Sequence, residues 1–148
     1  MIELALYQPD IPQNVGAAIR LCACLGMPLS VIEPCGFPWD DRKIRTSAMD
    51  YYDALTLTRH DSWQKFQSAQ SGRIVLLTTK TDTSYYDYDF QDGDTLLLGR
   101  ESAGVPENVH NDVDARITIP MAPGMRSINV INSAAMVLGE ALRQTSSK

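Results

Sequence analysis

Apolar residues in this chain fall in short runs, separated by stretches that repeat with a helical period. Runs at 2–7, 29–32, 54–58, 74–79, 95–98 and 116–119 predict six strands. Stretches at 14–25, 61–69 and 128–144 predict helices, with a shorter one at 106–111. Asp61 and Ser127 stand where the second and last of the long helices would be capped. Gly26 stands where the first would end in a left-handed residue. Strands alternating with helices predict an α/β fold, a mainly parallel sheet with helices on both faces. The 148 residues fit a single domain, 1–148, and no linker, repeat or low-complexity stretch divides them.

The last helix has more apolar surface than one stripe needs. Ile128, Ile131, Ala134, Ala135, Leu138, Ala141 and Leu142 share a face, while Val130, Met136 and Val137 lie elsewhere around the axis. A helix apolar on more than one side is covered on more than one side. A second copy of the chain is the simplest further cover, so a homodimer is expected.

Composition is that of an ordinary globular protein, 44% hydrophobic and 21% charged. No apolar run approaches the roughly 18 residues of a membrane span, and the first residues carry no basic, cleavable leader, so a cytoplasmic protein with no membrane partner is expected. Cys22, Cys24 and Cys35 fit neither a zinc site nor a redox pair. On a helix Cys22 and Cys24 lie about 200° apart. Reduced thiols and no metal are therefore expected.

The net charge of −5 argues against a generic nucleic-acid binder. Its distribution changes that picture. Residues 1–80 hold eight acidic and eight basic side chains, whereas 81–148 hold ten acidic and five basic. A polyanion would have to meet local clusters such as Arg42, Lys43 and Arg45.

Three segments can carry chemistry. The first is Asn14-Val15-Gly16-Ala17-Ala18-Ile19-Arg20, which starts a helix just past a strand and a proline-rich turn. The second, Gly99-Arg100-Glu101-Ser102-Ala103-Gly104-Val105-Pro106, is a strand end followed by a sharp turn. It has no Gly-Lys-Ser/Thr and no GxGxxG, so neither a P-loop nor a dinucleotide fingerprint is present. In the third, Ile119-Pro120-Met121 leads through Arg126 to Ser127-Ile128-Asn129 at a helix start, where polar groups cap the helix or hold a ligand. Leu77 and Thr78 end a further strand. Several strand ends converging on one cleft is the expected ligand position in an open α/β sheet. His60 and His110 fall outside these segments and read as surface or helix-end residues.

In this order the three segments resemble the motifs of the SPOUT RNA methyltransferases: NxGxxxR ending at Arg20, GxExxGhP from Gly99, and the stretch from Ile119 to Asn129. The segment from Gly36 to Arg45, with Asp50 and Tyr51 beyond it, is similar to that of the small single-domain TrmL group. The resemblance covers roughly residues 2–143. It implies a C-terminal trefoil knot, a homodimer and S-adenosylmethionine as cofactor. It further implies methyl transfer to the ribose 2′-hydroxyl of the wobble nucleotide in a tRNA anticodon stem-loop. Residue by residue, it implies a cofactor site at Leu77, Thr78, Gly99, Glu101, Gly104, Ile119, Met121 and Ser127. It gives Arg20, Ser127 and Asn129 catalytic roles and makes Arg20 the base. Arg42, Lys43, Arg45 and Arg126 join Arg20 as RNA contacts. A guanidinium with a pKa above about 12 is a poor base. A bidentate grip on the neighbouring phosphate is the other role open to Arg20. A SPOUT enzyme for another tRNA or rRNA position, and a non-catalytic RNA- or cofactor-binding dimer, are the alternatives.

Overall fold

The computed structural model describes residues 1–146. Strands β1 (Glu3–Tyr7), β2 (Leu29–Ile32), β3 (Leu57–His60), β4 (Ile74–Leu77), β5 (Thr95–Leu98) and β6 (Ala115–Ile117) form one sheet in the order β3-β2-β1-β5-β4-β6. Every pairing in it is parallel. Between the strands lie helices α1 (Pro12–Leu25), α2 (Asp41–Ser47), α3 (Trp63–Ala69), α4 (Glu107–Asp112) and, after the last strand, α5 (Val130–Thr145). Short 3-10 turns cover Met49–Ala54 and Tyr85–Asp87.

Strand β1 explains why both faces are covered. Successive side chains of a strand point to opposite faces. Leu4 and Leu6 pack with Val15 and Ile19 of α1, Ile44 of α2 and Leu138 of α5. Ala5 and Tyr7 pack with Trp63 and Phe66 of α3 and Val109 of α4. A run apolar at every position from Leu4 to Tyr7 is the pattern of a parallel sheet with helices on each side. No helix among the described residues is long and apolar enough to cross a membrane.

Several expectations need correction. The third strand is Leu57–His60 rather than 54–58, because Ala54 closes a 3-10 turn and the sheet pairs Leu29 with Leu57. At the sheet edge Thr58 and Arg59 face solvent, so the apolar run stops short of the strand's end. The cap of α3 is Ser62, whose hydroxyl accepts from the Lys65 N–H at 3.1 Å; Asp61 pairs with the Lys65 ammonium instead. The cap of α5 is Asn129, not Ser127: Asn129 Oδ1 accepts from the N–H groups of Ile131 and Asn132 at 2.9 and 3.1 Å. Residues 41–47, read from sequence only as a basic cluster, form helix α2. Asp40 caps it and Ile44 is its one buried residue, too little to give a stripe. Gly26 ends α1 in the left-handed region, φ 69°, as its position predicts.

The chain beyond β6 is tied to the segment between β4 and β5 at two places. Thr118 donates to the Thr83 carbonyl and accepts from the Tyr85 N–H, both at 2.9 Å. Near the end of α5, the Gln144 side chain accepts from the Phe90 N–H at 2.8 Å and donates to the Tyr88 carbonyl at 3.0 Å.

Candidate active site

The carboxyl ends of β4, β5 and β6 lie level, since Leu77 is in register with both Leu98 and Ile117. Past them the chain opens a cavity of about 730 Å³, within the usual range for a small-molecule site. Its wall includes Leu77, Thr78, Gly99, Glu101, Gly104, Ile119, Met121, Arg126, Ser127 and Asn129. Ten of the residues singled out, from the second and third segments and the end of β4, thus meet at one place. Arg20, Arg42, Lys43 and Arg45 lie outside that wall.

The loop after β5 is shaped by a backbone contact. Arg100 and Gly104 exchange N–H···O bonds in both directions at 2.9 Å, folding the loop back on itself. The return needs φ 63° at Gly104, a conformation in which glycine is not penalised. It also brings Gly104 against Gly99, where any side chain would collide. At Gly99 and Gly104 the loop consequently offers bare backbone to the cavity.

Glu101 joins this loop to the start of α1. Its carboxylate accepts from the Asp10 N–H at 3.0 Å and from Asn14 Nδ2 at 3.1 Å. The Ser102 hydroxyl donates to Asp10 Oδ2, while Asp10 Oδ1 is buried with no partner among the described residues. Burial, then the neighbouring Asp10, raises the pKa of Glu101. The hydrogen bond shared with Glu101, then that from Ser102, lowers the pKa of Asp10. Two carboxyl groups this close ionise one after the other. The fixed Asp10 side chain depends on Gly36, whose missing Cβ would stand 2.6 Å from Asp10 Cβ.

In the third segment Asn129 spends its oxygen on the α5 cap, leaving its Nδ2 without a partner among the described residues. Ser127, freed from the cap, is exposed at the cavity wall beside it. Arg126 is exposed there too, and Gly124, φ 83°, turns the loop that carries them.

Asn14, Lys80 and His110 also line the cavity, though sequence reasoning did not select them as site residues. His110 sits in the last turn of α4, so its reading as a mere helix end is incomplete. Asn14 opens the first motif and Lys80 ends the stretch that follows Leu77, so both had a local signal; nothing local marks His110. His60 is half-buried on β3, where burial lowers its pKa and its Nε2 lies 3.1 Å from Ser30 Oγ. Arg20 projects from α1 into solvent, with Nη1 3.3 Å from Met49 Sδ and its guanidinium over the Tyr51 ring at 5.4 Å. Arg42 and Lys43 are exposed and form no ion pair among the described residues. Arg45 differs: it contacts both Asp53 oxygens at 3.0 Å and stacks over Tyr52 at 4.0 Å. All three cysteines are free thiols; burial raises Cys22 to about 12 and Cys35 to about 11.

Known proteins share this arrangement. A protein of Beijerinckia indica subsp. indica named tRNA (cytidine(34)-2'-O)-methyltransferase is 58% identical over 144 residues, 95% of this chain and 90% of its own. A solved structure concerning the 2-OH methylation of C/U34 on tRNA superimposes with a TM-score of 0.90 at 37% identity, covering 97% of this chain and 95% of that one. The SpoU methyltransferase AviRb from Streptomyces viridochromogenes, solved in complex with AdoMet, superimposes with a TM-score of 0.84 at 27% identity, over 96% of this chain and 59% of that one. The model of the SpoU rRNA Methylase family matches residues 1–139, and the chain belongs to that family.

Proposed function

We propose that the chain is a tRNA (cytidine/uridine(34)-2′-O)-methyltransferase, transferring a methyl group from S-adenosylmethionine to the ribose 2′-hydroxyl of the anticodon wobble nucleotide. The observation that carries this reading is the meeting of the second and third motif segments, the end of β4 and Asn14 of the first motif around one cavity, in a chain 58% identical to a relative named for that reaction.

The cavity suits the cofactor on its own terms. At Gly99 and Gly104 the folded-back loop presents backbone groups free of side-chain bulk, which suits adenine edges and ribose hydroxyls. Leu77, Ile119 and Met121 add apolar wall. When bound, S-adenosylmethionine supplies an electrophilic methyl group on a sulfonium. Residues Leu77, Thr78, Gly99, Glu101, Gly104, Ile119, Met121 and Ser127 would hold it, with no metal. Asn129, its oxygen fixed by the α5 cap, and Ser127 orient the reacting ribose through their remaining donors. Such alignment of reactants supplies several kcal/mol of rate enhancement. Arg20 grips the phosphate next to the 2′-hydroxyl and holds the nucleotide, while the hydroxyl proton passes to phosphate or water.

The assembly is a homodimer in the cytoplasm, each subunit one domain spanning residues 1–148, of which 147 and 148 lie outside the described residues. Supporting the dimer, α5 keeps Ala135 and Met136 exposed opposite its buried face, and Met125 is exposed in the loop before it. Arg20 does not line the cavity of its own chain, so in the dimer it serves that of the partner subunit. The segment after β6 passes through the β4–β5 connection as a trefoil knot. The bonds of that connection to Thr118 and to Gln144, the two ends of the threaded stretch, support this reading.

The test is methyl transfer to tRNA lacking the modification, with the product nucleotide mapped by mass spectrometry. Methylation at the ribose of nucleotide 34 is expected; methylation elsewhere, or none with cofactor bound, overturns the reading. Arg20→Ala loses most of the activity and Arg20→Lys keeps part of it. An Arg20→Lys enzyme as inactive as Arg20→Ala, with RNA affinity intact, excludes the phosphate grip.

A further inference from the structure

An exposed arginine ordinarily samples many rotamers, and ordering it costs free energy. Arg20 is held from outside its own helix. One turn before it on α1 lies Gly16, where a Cβ would fall 2.3 Å from Ser47 Cβ, so α1 and the end of α2 touch more closely than any side chain at 16 would permit. From Ser47 the chain passes through the buried Ala48 to Met49, which takes φ 57°. A left-handed backbone at an unbranched residue other than glycine, asparagine or aspartate is uncommon and strained. Met49 is 58% exposed, so the strain is not the consequence of burying its side chain. What the turn does is present Met49 Sδ at 3.3 Å from Arg20 Nη1 and the Tyr51 ring at 5.4 Å from its Cζ. A cation within about 6 Å of an aromatic centroid is attracted by the ring face.

We propose that Tyr51, seconded by Met49, is a positioning residue that fixes the Arg20 guanidinium for the tRNA. The close approach at Gly16 and the left-handed turn at Met49 are the backbone features that place it. The inference rests on the reading of Arg20 as a group that engages the RNA. Tyr51 acts through Arg20 and takes no part in binding the cofactor.

The experiment measures kcat and KM for tRNA at saturating cofactor, melting temperature and cofactor affinity. The variants are Tyr51→Phe, Tyr51→Leu and Met49→Gly, and each tyrosine variant is repeated in the Arg20→Lys background. Misplacing a reacting group costs rate steeply. Tyr51→Leu is expected to lower kcat about tenfold with cofactor affinity unchanged, while Tyr51→Phe, which keeps the ring face, stays within about twofold of the parent. In the Arg20→Lys background the loss from Tyr51→Leu shrinks, because the two residues work as one unit. Met49→Gly keeps the left-handed backbone without strain, so it folds, and kcat falls with cofactor affinity unchanged. Three results overturn the inference: a parental kcat in Tyr51→Leu or Met49→Gly, a Tyr51→Phe as slow as Tyr51→Leu, or an undiminished Tyr51→Leu loss in the Arg20→Lys background. If Arg20→Ala itself keeps full activity, the reading of Arg20 fails first.

Discussion

The Cα of Gly104 lies 2.7 Å from where a Cβ on Gly99 would stand, closer than any side chain allows. Gly99 follows directly on β5, and Gly104 returns the loop to it through the paired Arg100 bonds. Gly99→Ala forces these two backbone segments apart. Overpacking of this kind costs about 1–3 kcal/mol, and for a domain of this size each kcal/mol lowers the melting temperature by about 2–4 °C. The displaced loop also weakens cofactor uptake, read by calorimetry with S-adenosylhomocysteine. A Gly99→Ala protein with parental melting and parental affinity would show that the contact shapes nothing.

Asp10 and Glu101 make a pH-dependent latch between the α1 start and the β5 loop. Glu101 has a raised pKa, from burial first and Asp10 second. A carboxyl whose folded pKa is raised adds stability below its unfolded value, about 4.3. That stability is lost as pH rises through the folded value. Asp10→Asn removes the charge that opposes ionisation of Glu101. Near about pH 4, where protonated Glu101 donates to ionised Asp10, the parent should melt higher than Asp10→Asn, whereas at about pH 8 the variant, relieved of the repulsion, should melt about 2–4 °C higher, for a gain of about 1 kcal/mol. Thermal melts across this range decide it. A variant less stable at the alkaline end would mean that the ionised pair is favourable as built.

How much of this could be read from the chain depended on how local the cause was. β2 and β5 match their expected bounds because each is a buried apolar run ended by a turn residue. Helix α2 escaped because a seven-residue helix with only Ile44 buried has no period to detect. Ser127 was given the cap that Asn129 holds, since two polar residues at one helix start look equivalent until the backbone direction is known. At the site the resemblance to a family points to residues that the fold brings together around the cavity, except Arg20, which lies outside it. His110 came to the same cavity from a segment with no signature. The Asp10–Glu101 pair spans 91 positions, and only the fold creates it.

The three cations that sequence grouped together are not equivalent. Arg42 and Lys43 are exposed on α2 with no ion pair among the described residues, whereas Arg45 is already bound to both Asp53 oxygens and stacked on Tyr52. A phosphate contact releases counterions, and each one contributes about 0.7–0.9 to the slope of log affinity against log salt. Removing Arg42 or Lys43 should therefore lower the tRNA-binding slope by nearly one unit each. Arg45→Ala should leave the slope almost unchanged, because Asp53 holds its charge before RNA arrives. Its cost to stability should stay small, as an exposed ion pair contributes only about 0–1 kcal/mol. Filter binding over a salt series separates the two classes. If Arg45→Ala flattens the slope as much as Lys43→Ala does, the Asp53 pair opens on binding and α2 presents all three cations to the phosphates.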